Sequence, residues 1–342
     1  MNNCIINSGS PVKVSVLTIA VLAMFLQPVT VSAQFAGGNG TSASPYQIST
    51  AAQLDSLARK VNSKDAAYVN KHYILTADID LSGYGASNAN FNNGKGWIPI
   101  GASYATPFGG VLNGNGKKIT GLYINRDGEL SGLFGFLTGT VKNLGLENVN
   151  VTGQFDVGGL TGMMYNGMIA NCYVTGHVKG IDQAGAMAGS VCFSSIKNCY
   201  TAGTVSARVY VGGIVGGSIN GQIENCAALN AIVEATNGTS VRRIVGYYGG
   251  SLTVLTNIAF AGMIIKAQGA LQSPVSDPFN LSDGKGCTAS EIAAIKFSEL
   301  FVFATPGDDP WTYEDGKLPG FGAAIDMPEY FYESRPITEP AE

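Results

Sequence analysis

The chain has 342 residues, 46 of them glycine, and only 13% are charged, about half the share of roughly 25% usual in globular proteins. Its net charge of −4 supplies no basic field, which excludes nucleic acid and anionic lipid as partners held by bulk electrostatics. Low charge with abundant Gly, Asn, Ser and Thr indicates a turn-rich β protein whose surface is polar but not ionic.

The first element is a targeting segment over residues 1–33. Lys13 is the only basic residue ahead of an apolar stretch at 14–26, and Val31, Ser32 and Ala33 precede a polar, Gly-rich run. That order is the pattern of a secretory signal peptide, with cleavage expected after Ala33. The apolar stretch is well short of the roughly 20 residues a spanning helix needs. No Cys follows closely enough to be lipidated, and no later stretch is long and apolar enough to cross a membrane. The chain is therefore expected to be secreted or displayed at the cell surface.

Residues 34–70 are expected to form an N-terminal cap. In STAAQLDSLARKVN at 49–62, Thr50 and Gln53 occupy capping-box positions, and Leu54, Leu57, Ala58 and Val61 share one helical face. The strand-like HYILTADIDL at 72–81 follows.

Residues 71–265 carry an internal repeat. The blocks GLFG, GLTG, AMAG, GIVG and RIVG end at Gly135, Gly162, Gly189, Gly216 and Gly246, at spacings of 27, 27, 27 and 30. A second set, VKN, IAN, IKN, IEN and LTN, ends at Asn143, Asn171, Asn198, Asn225 and Asn257. Two landmarks with one period make the repeat secure. The apolar blocks are short, β-branched and broken by Gly or Asn, so each unit reads as three short strands rather than helices. Such a unit is one coil of a parallel β-solenoid, with coils about 4.8 Å apart and equivalent residues stacked into ladders. Glycines then allow positive φ or close backbone approach, and the asparagines suit left-handed corners and bond one another from coil to coil. Val141, Ile169, Ile196 and Ile223 form the inward ladder. Cys172, Cys199 and Cys226 directly follow three of those asparagines, and are read as a stack of small buried thiols rather than a disulfide framework.

Residues 266–342 are expected to close the array. Thr288 and Glu291 form a second capping box, WTYEDGKLPGF at 311–321 suggests a hairpin turning at Asp315 and Gly316, and the tail from Met327 is Pro- and Glu-rich.

Chemistry-bearing motifs are sparse. The GNGKK run at 114–118 has Val111 and Lys118 where a phosphate-binding loop needs Gly and Ser or Thr. There is no CxxC, and His72 and His177 are far apart, which leaves no metal or cofactor expected. No His lies near a G-x-S-x-G elbow. A polysaccharide lyase or hydrolase would need acids on shared ladders. Yet Asp156 shifted by 27 and 54 meets Gln183 and Tyr210, and Asp182, Asp127 and Glu147 likewise find no acid one coil away. Asp78 and Asp80, two apart on one strand, are the best remaining pair.

The G-L-x-G blocks followed by I-x-N-C-Y at 169–173 and 196–200, with FGGVLNGNGKKITGLYI at 108–124 ahead of them, resemble the GLUG motif of bacterial secreted and surface proteins. The last units depart from it: GLxG becomes AMAG and RIVG, and Ile258 is read in the place of the Cys. The resemblance implies a right-handed parallel β-helix-like solenoid of about 27 residues per coil, in proteins commonly described as adhesins. It carries no catalytic residues to this chain. The expected function is a non-enzymatic cell-surface or secreted binding protein for glycans or matrix proteins, against the alternatives of a polysaccharide-cleaving enzyme or a spacer without ligand. Strand alternation turns Tyr173 and Tyr200 outward if the cysteines point in, and these two with Tyr210 are the candidate binding surface.

Overall fold

The computed structural model describes residues 34–273, 282–303 and 309–332. The chain divides into two units, 1–34 and 35–342. The expected signal peptide lies outside the described residues, and the folded architecture belongs to the second unit.

Nine rungs stack along the longest sheet. They are Tyr46–Ile48, His72–Leu75, Val111–Thr120, Thr140–Thr152, Met168–Lys179, Ser195–Lys197, Gln222–Glu224, Thr253–Leu255 and Lys285–Cys287, paired in parallel, the last through Ile258–Phe260. Two further, shorter sheets complete the coils in the middle of the stack. A four-stranded sheet runs Val157–Gly158, Gln183–Gly185, Tyr210–Gly212 and Ser240–Arg242. A five-stranded sheet runs Phe134–Leu137, Thr161–Tyr165, Ala188–Cys192, Val215–Ile219 and Val245–Gly249. The chain is the parallel β-solenoid its period of about 27 predicts.

Its interior follows from the inward ladder. Leu112, Val141, Ile169, Ile196, Ile223 and Val254 are in register and all buried. Burying each such side chain is worth about 1.5–3 kcal/mol, but only because the coils above and below cover it.

The corner asparagines behave as their chemistry dictates. Asn143, Asn171, Asn198 and Asn225 have φ of 55°, 53°, 52° and 54°, the left-handed region that Asn tolerates best among residues with a side chain. Each side-chain amide donates to the carbonyl oxygen of the asparagine below, at 3.0 Å to Asn113, 2.9 Å to Asn143, 3.2 Å to Asn171 and 3.3 Å to Asn198. Asn113 thus begins the ladder.

Asn257 does not continue it. Glu224 pairs with Leu255 and Ala227 with Ile258, so Thr256, with φ 55°, takes the corner and Asn257 takes the position of Cys226, where the sequence pattern had put Ile258. Asn257 is fully buried, accepts from Cys226 N–H at 2.8 Å and donates to Ile223 O at 2.7 Å. It caps the thiol stack. Beneath it, Cys172, Cys199 and Cys226 are free, buried thiols that donate to the carbonyls of Ala170, Lys197 and Glu224, two residues back, at 3.3, 3.0 and 3.1 Å.

Two glycines show the two uses of that residue. The final Gly of AMAG, Gly189, lets backbones touch: a Cβ there would lie 2.4 Å from the Asp156 carbonyl carbon. Gly203 has φ 119°, and a Cβ there would meet Gly176 O at 1.9 Å.

The flanks are more integrated than the sequence implies. The first rung, Tyr46–Ile48, precedes the helix Ala51–Asn62, so the helix lies within the first coil. Thr50 accepts from Gln53 N–H, but the Gln53 side chain reaches Ser49 N–H at 2.8 Å rather than that of Thr50. Leu54, Leu57, Ala58 and Val61 are buried in the common core. The Thr288 and Glu291 capping box opens the helix Ala289–Ala294, an antiparallel bridge between Thr312 and Gly320 spans the expected turn at Asp315 and Gly316, and a second bridge, Leu318 to Ile325, closes a further turn. Where the tail begins, Met327 and Phe331 are buried and Phe331 lies 4.2 Å from Phe260, ring to ring.

Candidate binding site

Tyr173 and Tyr200 do project from the solenoid, opposite the inward thiols, but they are not a surface. Their rings lie parallel, 5.1 Å apart, and are 1% and 0% exposed. Trp311 and Phe321, stacked on each other at 4.3 Å, cover them. The Tyr200 hydroxyl donates to Pro319 O at 2.8 Å and that of Tyr173 to Glu147 at 2.7 Å. Burial raises both phenols well above their usual range. The pair is a docking site for the chain's own C-terminal segment, so two of the three candidate binding residues are corrected to core.

Tyr210 remains. It is half-buried in the four-stranded sheet and its ring lies 4.8 Å from that of Tyr247, in the five-stranded sheet. Two neighbouring ladders explain the cleft beside them. On one, Gln183 is in register with Tyr210, and its amide donates to Asp156 Oδ1, one coil back, at 3.0 Å. On the other, Phe136, Met163, Ser190, Gly217 and Tyr247 are in register. Two small residues between large ones leave a dip, and a Cβ on Gly217 would lie 2.7 Å from the side-chain Oε1 of Gln183. The result is a shallow cleft of about 110 Å3 lined by Gln183, Ser190, Cys192, Tyr210, Gly217 and Tyr247, room for the edge of a ring rather than a buried ligand.

Asp156 organises its polar side. Besides Gln183, it accepts from the Ser190 hydroxyl and from the Tyr104 hydroxyl at 3.3 Å. Burial raises its carboxyl above the ordinary value, opposed by the bonds from Ser190 and Tyr104. Tyr104 is pushed up to about 12 by burial and by Asp156. Around the cleft, Tyr104, Tyr165, Phe193, Ile219, Tyr247 and Tyr248 are each more than two-fifths exposed. An exposed apolar concentration of this kind marks an interaction surface. Apart from Asp156 and Tyr210, the sequence pattern passes over these residues: Tyr104 belongs to an irregular segment and the others do not repeat in kind.

The catalytic alternatives find little support. Asp78 accepts from Lys118 N–H at 3.0 Å, and Asp80 accepts from the Ser82 N–H and hydroxyl, both at 2.8 Å, which holds its carboxyl below the usual range. Asp80 thus forms a local turn, and Asp78 ties its segment to the next coil. Glu147 is ion-paired to Lys118 at 3.0 Å and Asp182 to Arg208. His177 bonds Thr204 Oγ1 at 2.7 Å. Cys192 is raised by burial and then by Asp156, the opposite of what a thiolate nucleophile needs. A larger cavity of about 780 Å3 lies between residues 293–298 and 313–317, but Lys296 and Lys317 there are paired with Glu299 and Glu314. Among the described residues no cluster of His, Cys, Asp and Glu is arranged to hold a metal.

The family described as the GLUG motif matches residues 207–233. The chain carries a GLUG motif. The matched segment is one coil long, and it contains Tyr210, Gly217, Asn225 and Cys226. Over 149 residues the chain is 42% identical to a "Putative Gly-rich membrane protein" of Evansella cellulosilytica, covering 42% of this chain and 16% of that protein. Over 146 residues it is 38% identical to Halomucin of Haloquadratum walsbyi, covering 42% of this chain and 2% of that one. The chain thus spans a small part of the length of the curated relatives it matches. Among solved structures it is similar to one described as "a putative immunoglobulin A1 protease from Bacteroides ovatus", with a TM-score of 0.61, 23% identity, and coverage of 84% of this chain and 95% of that one. At that identity the likeness is one of fold. The relatives matched in sequence are named as a membrane protein and a halomucin, and no described helix of this chain is long and apolar enough to cross a membrane.

Proposed function

We propose that this GLUG solenoid is a secreted or surface-displayed binding module for extracellular glycans, and that it serves attachment rather than catalysis. The observation that carries the proposal is the pair of ladders on adjoining faces: Asp156, Gln183 and Tyr210 beside Ser190, Gly217 and Tyr247. They set fixed hydrogen-bonding groups next to aromatic rings on a rigid rod. Sugar rings present apolar faces to aromatics and hydroxyls to polar groups. The names of the relatives, and the signal-peptide pattern at 1–33, agree with a place outside the cell.

The test is retention of the chain on a panel of polysaccharides and matrix proteins, with new chain ends scored in the same wells. Retention on a polysaccharide that Tyr247→Ala weakens about tenfold, without cleavage, is the expected result. Cleavage would replace the proposal with an enzyme, retention only on proteins would change the ligand class, and silence in both channels would favour a spacer.

A further inference from the structure

Resting on the glycan-binding proposal, we infer that the cleft discriminates by charge: it takes uncharged polysaccharide and rejects polyanionic chains such as those built from uronic acids. The placement of charge around Asp156 carries this. No Lys or Arg lines the cleft among the described residues. Of the cations near it, Arg208 pairs with Asp182 and Arg242 with Asp283 at 3.6 Å. Glu129 lies close enough to Asp156 to raise its carboxyl further. The fixed charge next to the lining residues is therefore that of a carboxylate.

The bonding pattern agrees. A carboxylate offers about four acceptor positions, and here Oδ1 accepts from Gln183 and Ser190 and Oδ2 from Tyr104. All three neighbours donate, so the carboxylate is held as an acceptor one layer behind Gln183 and Ser190, which line the cleft. A sugar hydroxyl brings no charge into the field of that carboxylate. A sugar carboxylate brings no donor and a like charge, which in a partly desolvated setting opposes binding strongly. The residues that hold Asp156 in place thus fix a negative charge beside the cleft.

The experiment compares the full-length chain with Asp156→Asn on affinity gels containing neutral polysaccharides (a mixed-linkage glucan, a galactomannan) and polyanions (polygalacturonate, alginate) at low salt. Wild type should be retained at least tenfold better on one neutral polymer than on either polyanion. Asp156→Asn should shrink that ratio to about threefold or less, mainly by gaining on the polyanions. Ile219→Glu, which adds a charge at the exposed rim of the cleft and serves should Asp156→Asn not fold, should widen it. Equal or greater retention on polyanions, or a ratio that neither variant moves, overturns the inference while leaving glycan binding standing. Retention on no polysaccharide overturns the parent proposal, and this inference with it.

Discussion

The rings of Tyr173 and Tyr200 lie 5.1 Å apart and 4° from parallel, one coil above the other, beneath Trp311 and Phe321. Their ladder partners on either side are Gly145 and Ala227, so a small residue flanks the pair on each side and a bulky segment fits over the two rings. Tyr200→Ala should cost about 3–5 kcal/mol, as for other aromatic truncations in cores. Tyr200→Phe removes only the bond to Pro319 and should cost about 1 kcal/mol. Denaturant unfolding measures both, and glycan retention should change less than twofold in either variant.

The middle of the asparagine ladder is the most connected corner. Asn198 has φ 52°, donates to Asn171, accepts from Asn225, and holds the C-terminal segment through Val302 O and Val302 N–H at 2.9 and 3.1 Å. Asn198→Ala loses those bonds and also puts a Cβ-bearing residue without local side-chain bonding in the left-handed region, about 2–4 kcal/mol together. Asn198→Gly keeps the backbone conformation at ease and should lose about half as much. Equal losses in the two variants would show that corner conformation contributes nothing.

Asp156 has a sign that distinguishes it from an ordinary salt-bridged acid. Its carboxyl is raised in the folded chain, by burial first. Its stabilising contribution is therefore fully present below the unfolded value of about 4 and is lost as pH rises through the raised folded value. Subtracting the stability of Asp156→Asn from that of wild type across this window should give a difference that falls with rising pH. A difference that rises would mean that the bonds from Ser190 and Tyr104 outweigh burial.

The thiols should separate by position rather than by chemistry. Cys172, Cys199 and Cys226 are 0% exposed, and Cys199 is raised well above the ordinary thiol range by burial and by its two neighbours. Cys192 is half-buried at the cleft. Mass mapping after mild alkylation of the native chain should find Cys192 modified first and the three stacked thiols only after unfolding.

Much of the fold was legible because it repeats. An inward Ile ladder, an asparagine corner and a thiol stack each recur at one period, and in a solenoid equal sequence spacing means direct contact, so a local pattern already states a tertiary neighbour. The pattern misleads where the spacing changes. Between Cys226 and Asn257 the coil is longer, and Asn257, matched by residue type to the corner, sits one position further on, in the thiol stack. Nor does periodicity carry information about cover: alternation correctly turns Tyr173 and Tyr200 outward, but the residues that bury them lie more than a hundred positions later.

What the sequence by itself determined is therefore the coil: its length, its strands, its corners and its buried ladders, because each depends on neighbours one period away. Only the tertiary structure decided which outward faces meet solvent. Tyr104 reaches Asp156 across 52 residues and Pro319 reaches Tyr200 across 119, contacts made by non-repeating segments whose path over the rod no periodicity encodes. The same alternation that points a tyrosine away from the core leaves open whether it finds water, a sugar or another part of its own chain, and here that choice separates the core pair Tyr173 and Tyr200 from the cleft pair Tyr210 and Tyr247.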